Sequence, residues 1–156
     1  MNRTLGTALL VLGLAFIAAC AVQKPAFSEA QVPAAVRQTL LERFPGAMNP
    51  QWSLKADKNY EAEFTAQQLE IAAQFDPDGK WLETETTIPP AAVPQAVQDA
   101  AATQFKDCKI IETQLLQRQG AEALTYELHL DTGKEIVKAE FSVSGELLAQ
   151  SAKPKP

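Results

Sequence analysis

The feature that most constrains this chain is a sequence pattern that occurs twice. Val32-Pro33-Ala34-Ala35-Val36 returns as Val93-Pro94-Gln95-Ala96-Val97, and Phe44 and Phe105 follow at the same offset. Further on, Tyr60-Glu61-Ala62-Glu63-Phe64 parallels Tyr126-Glu127-Leu128-His129-Leu130. Phe75-Asp76-Pro77-Asp78-Gly79-Lys80-Trp81-Leu82 then parallels Phe141-Ser142-Val143-Ser144-Gly145-Glu146-Leu147-Leu148. Self-similarity of this kind points to one structural unit used twice. The offset grows between the first and second blocks, which places a small insertion around 117–123.

Each unit opens with a helix. Pro33 and Pro94 suit a first helical turn, where a missing N–H costs nothing. Val36, Leu40 and Phe44, and then Val97, Ala101 and Phe105, recur every four residues as the apolar stripe of a helix lying on a sheet. Strands follow. Tyr60, Ala62 and Phe64 alternate with Glu61, Glu63 and Thr65, and 69–75 continues the period of two. Asp78-Gly79 turns the chain into 81–88, and 52–56 supplies a first strand. The second unit repeats this at 110–117, 124–131, 135–143 and 146–150, with hairpins at Thr132-Gly133 and Ser144-Gly145. The predicted fold is α+β: two tandem repeats, each a helix followed by an antiparallel meander of about four strands, with the helices packed on one face. The repeats span 31–88 and 93–150, joined by a linker at 89–92. Residues 151–156 (SAKPKP) read as a disordered tail.

The N-terminus reads as an export signal over 1–19. Arg3 provides a positive start, and Leu5 to Ala19 run without a charge, about 15 residues where a spanning helix needs about 20. Ile17-Ala18-Ala19-Cys20 resembles a lipobox, so Cys20 is the expected lipidation site. Two or more acyl chains there would hold the protein durably in a bilayer. Residues 20–30 then form a tether, and Ala21 after the cysteine fits the periplasmic face of an outer membrane. The rival reading is ordinary cleavage at Ala19-Cys20-Ala21, which leaves a soluble periplasmic or secreted protein. With Cys20 lipidated, Cys108 has no partner for an intramolecular disulfide.

The chain carries 14 basic and 19 acidic residues, a net charge of -5, which argues against nucleic acid, whose binding relies on clustered Lys and Arg. An apolar fraction of 46% with ordinary charge content marks a folded domain.

The pattern yields no catalytic site. The single histidine, His129, lies in a Glu127-x-His129-x-Asp131 row that offers three loose ligands, so no metal is expected. Asp76-Pro77-Asp78-Gly79 is too short for a calcium loop and its acids are absent from the second copy, so it reads as a hairpin. No nucleophile elbow, phosphate loop or C-x-x-C is present, and no cofactor is implied. Alternation places Glu61, Glu63, Glu83 and Glu85 on a wet sheet face. Trp81 shares the parity of Glu83 and Glu85, and Trp is enriched among interface anchors, so these five residues are the candidate partner-binding set. The alternative is that Trp81 fills the core.

The order V-P-x-A-V, F-P-x-A with a nearby Trp, Y-E-A-E-F and F-D-x-x-G-x-W-L-E-T-E resembles the PepSY-like, or β-lactamase-inhibitor-like, family. The resemblance covers about 31–150. It is close in the first copy and looser in the second, where Phe105 lacks a following Pro and the last pattern reduces to Phe141, Gly145 and Leu147. It implies a plan similar to the β-lactamase inhibitory protein, in which tandem helix-plus-four-strand units form one concave sheet. It further implies a small exported binding module, often lipid-anchored, whose partners are mostly unassigned. Together with the absence of catalytic motifs this gives the expectation of a non-enzymatic envelope protein that binds a protein or peptide, with inhibition as one form of such binding. A structural or stress-related envelope lipoprotein without a specific ligand is the competing expectation.

Overall fold

The computed structural model describes residues 27–155. The signal over 1–19, Cys20 and most of the tether lie outside these residues. Helix α1 spans Ala34–Arg43 and is followed by strands β1 (Met48–Leu54), β2 (Tyr60–Ala66), β3 (Leu69–Phe75) and β4 (Trp81–Thr87). Helix α2 spans Gln95–Gln104 and is followed by β5 (Lys109–Arg118), β6 (Thr125–Asp131), β7 (Glu135–Ser142) and β8 (Leu147–Pro154). All eight strands form one antiparallel sheet in chain order, β1 to β8. The fold is α+β, as the sequence predicts.

Local chemistry explains the helix limits. Pro33 (φ −54°, ψ 143°) and Pro94 (φ −55°, ψ 142°) each stand just before a helix in extended backbone. Each helix ends where Phe44 or Phe105 leaves helical angles while its N–H still bonds a carbonyl four residues back. The apolar stripes face the sheet, with Val36, Leu40, Val97 and Ala101 all nearly inaccessible.

Both helices cover the same side. The register Phe64–Ile71–Thr86–Leu115–Tyr126–Phe141 runs across six strands on one face. That row joins two separate cores. Under α1, Val36 and Leu40 meet Trp52, Ala62, Phe64 and Phe75; under α2, Val97 and Ala101 meet Leu128, Leu130, Ala139 and Phe141. Between them the connection is the β4–β5 ladder, extended by Ile88 N–H to Thr113 O (3.0 Å), Thr113 Oγ1 to Ile88 O (2.6 Å) and Gln119 N–H to Leu82 O (2.8 Å).

Four sequence expectations need correction. The residues read as a disordered tail, 151–156, are strand as far as Pro154, because Ile136 to Ala139 of β7 pair with Gln150 to Lys153. Pro154 is tolerated there because β8 is an edge. At the other edge, β1 begins at Met48 rather than 52 and contains Pro50. The end of the tether is docked rather than free: Ser28 caps a short 3-10 turn over Glu29–Gln31, and Phe27 packs 6.0 Å from the Tyr60 ring. The residues read as linker, 89–92, contain a second 3-10 turn at Pro90–Ala92.

Candidate functional site

The face opposite the helices has nothing packed on it among the described residues. Alternation puts Glu61 and Glu63 of β2, Glu83 and Glu85 of β4, and Glu127 and His129 of β6 on this face, while their sequence neighbours enter the cores. A depression of about 580 Å³ lies here, lined from Met48 and Gln51 on β1 to Lys138 on β7. Seven strands laid flat would separate those residues by about 29 Å. The sheet therefore curls around the depression, and its polar face is partly buried.

Burial of charge demands partners, and most carboxylates here have them. Glu61, 7% exposed, accepts from Lys55 Nζ (2.9 and 3.0 Å), Ser53 Oγ (3.3 Å) and Gln74 Nε2 (3.4 Å). Arg118 bridges Glu83 on β4 and Glu140 on β7, and Thr125 Oγ1 also donates to Glu140 at 2.6 Å. Glu127 holds Lys138 Nζ and His129 Nε2, both at 2.8 Å, and the other ring nitrogen of His129 meets Glu112 at 2.8 Å. Burial pushes Glu127 up, but the hydrogen bonds from His129 and Lys138 outweigh it and hold the carboxyl down at about 2. Glu127 and Glu140 are direct register partners, a like-charge pairing tolerated because each has its own cation.

Among the covered carboxylates Glu85 is the exception. Burial pushes its carboxyl up from an ordinary 4.5 to about 7; Lys138 opposes that shift, and Glu83, Glu127 and Glu61 add to it. No hydrogen bond or ion pair among the described residues offsets its desolvation. Glu85 thus binds its proton more tightly folded than unfolded, which stabilises the fold below about pH 4.5; that contribution is lost as pH rises through about 7. Glu85→Gln, which cannot ionise, should gain about 1–3 kcal/mol over the parent at pH 8, the upper figure being the full shift and the lower its value after solvent screening, and nothing at pH 4. Urea unfolding at the two pH values checks this, and an equal effect at both would contradict it.

The candidate set is only partly brought together. The four glutamates share the uncovered face, but Trp81 does not join them. Gln74 pairs with Glu83 whereas Phe75 pairs with Trp81, so Leu82 is an extra residue in a bulge. The bulge inverts the alternation and turns Trp81 to the helix side. There its Nε1 donates to Thr84 Oγ1 (2.9 Å) and the Arg43 guanidinium lies 3.6 Å from its ring centroid. The Glu127–His129–Asp131 row also divides, because Asp131 turns to Lys155 Nζ (2.7 Å) and the Gly133 N–H (2.7 Å). Among the described residues no group of three or more His, Cys, Asp or Glu is placed to hold a metal. Asp76 accepts the N–H groups of Asp78 and Lys80 within its own turn.

Sequence reasoning missed Glu112, Gln114 and Lys138, which complete the depression, and Arg118 beside it. The alternation Glu112-Gln114-Leu116-Arg118 carries their parity. Only the register shows that they face Glu83, Glu85 and Glu127.

The sequence profile of the family described as "Putative beta-lactamase-inhibitor-like, PepSY-like" matches residues 58–149. The chain belongs to this family. Among solved structures, this PepSY-like chain is similar to one from Bacteroides eggerthii described as a "putative periplasmic protein", with a TM-score of 0.69 and 23% identity over 78% of this chain and 88% of that one. A BLIP-like protein from Bacteroides fragilis gives a TM-score of 0.66 and 24% identity over 80% of this chain and 89% of that one. A DUF2874 family protein from Bacteroides uniformis gives 0.69 and 20%, over 77% and 88%. At these identities the likeness is one of fold. No curated protein matches the chain.

Proposed function

We propose that this PepSY-like protein is a non-enzymatic module of the cell envelope that binds a protein or peptide partner on the uncovered face of its sheet. The observation that carries this reading is the asymmetry of that sheet. Both helices cover one side, and the other side curls around an accessible depression lined by charged side chains. A face kept polar, partly desolvated and uncovered is arranged for a partner rather than for a core.

Two features support a duplicated unit. The one-residue bulge at Leu82 recurs at Leu148, where Glu140 pairs with Ala149 and Phe141 with Leu147. Gly79 and Gly145, both at positive φ, each press against the first turn of the preceding helix. The anchoring part of the proposal rests on the lipobox-like residues before Cys20 and on relatives described as periplasmic. In this reading acylated Cys20 holds the sheet at the periplasmic face of the outer membrane. Intact mass of the envelope-extracted protein without acyl groups on Cys20 would remove the anchor.

A photo-crosslinker placed at position 63, on the uncovered face, should capture one defined envelope protein in cells. The same group at position 38, on α1, should not. Capture of the same protein from both positions, or only from 38, would reject the docking face.

A further inference from the structure

Gln114 is 8% exposed and lines the depression, and its Oε1 atom, itself covered, has no hydrogen-bond partner, so a donor reaches it only as the neighbouring side chains part. Its orientation is fixed, because Nε2 donates to Glu112 Oε1 at 3.0 Å; turning the amide over would set two acceptors against each other. Gln114 is the register partner of Thr87, two residues along β4 from Glu85, so the orphan acceptor and the unpaired carboxylate are diagonal neighbours on one face. The two lysines that line the depression are already engaged, Lys55 by Glu61 and Lys138 by Glu127. Glu63 and Glu70 add further negative charge to its wall.

The missing complement is therefore a group that brings both N–H donors and positive charge. An anion or a carbonyl supplies neither. A water donates to Gln114 but leaves Glu85 without a counter-ion. A bare metal ion lacks a built set of ligands among the described residues. An ammonium or guanidinium brings both the donors and the charge, and a depression of about 580 Å³ has room for the side chain that carries it.

We infer that the depression receives the charged end of an arginine or lysine side chain of the partner protein, with Glu85 as counter-ion and Gln114 Oε1 as acceptor. This names the ligand chemistry of the docking face and rests on that reading.

The test is an NMR titration of the chain with a capped Gly-Gly-Arg-Gly-Gly peptide, following the Glu85 carboxyl and Gln114 side-chain amide resonances. Both should shift saturably with the arginine peptide and stay unmoved with the isosteric, neutral citrulline peptide. Glu85→Gln should weaken binding at least about tenfold, and Glu146→Gln, the same loss of charge at an exposed turn, should leave it within about twofold. Equal response to the two peptides overturns the inference. So does an equal effect of the two variants, which would mean diffuse attraction to an acidic surface. Putrescine bound more tightly than the arginine peptide would overturn the assignment to a protein side chain. Failure here alongside capture from position 63 removes the ligand chemistry alone; capture that fails there removes the docking face.

Discussion

Gly145→Ala should cost the fold about 3 kcal/mol. A Cβ at this position would lie 2.4 Å from the Ala96 carbonyl oxygen and 2.9 Å from its carbon. Those are backbone atoms in the first turn of α2, which cannot rotate away. The position also has φ +84°, a left-handed conformation that costs a non-glycine residue about 1 kcal/mol. Gly133→Ala separates the two contributions, since Gly133 has φ +86° and a methyl group there would meet nothing within 4 Å. It should lose only the backbone part, about 1 kcal/mol. Urea unfolding of both variants decides the matter, and equal losses would refute close approach of the β7–β8 turn to the helix.

The second large effect is expected at Arg118. Arg118→Met leaves Glu83 and Glu140 without their shared cation, and both are well covered, at 16% and 12% side-chain exposure. Removing one partner of a buried charge cluster costs about 3–5 kcal/mol. Arg118 itself is 40% exposed, so water recovers part of this, and about 2–3 kcal/mol is expected. Adding Glu83→Gln and Glu140→Gln to Arg118→Met should restore most of the loss. Arg118→Lys should not, because a single ammonium cannot span two carboxylates as a guanidinium does. If the triple variant is no more stable than Arg118→Met, the cost is one of packing and the charge account fails.

What the sequence discloses follows from the range of each signal. The helix stripes at Val36, Leu40 and Phe44, and the strand alternation at Tyr60–Phe64, are local patterns and appear where expected. Parity alone is enough to put Glu61, Glu63, Glu83 and Glu85 on one face. It misplaces Trp81 because one inserted residue, Leu82, reverses parity and leaves no composition trace. The SAKPKP segment looks like a tail by composition, yet its backbone completes the β7 ladder. The depression is illegible for another reason. It brings together Glu85, Gln114 and Lys138 from three strands, and their proximity depends on register and curl rather than on spacing in the chain.

The prolines of the sheet have a further consequence. Pro50 lies in β1 and Pro154 in β8, the two outermost strands, and the six strands between them contain none. Proline withholds an N–H from any strand laid alongside, and β1 is bent further by a bulge between Met48 and Gln51, while Lys153 and Lys155 charge the end of β8. Both rims are thus poor templates for added strands. The sheet is closed to growth by polymerisation, and a guest extending it as a ninth strand would meet an interrupted ladder on either side. Recognition is steered inward, to the bowl of side chains around Glu85, where the fold can select by charge instead of by backbone pairing.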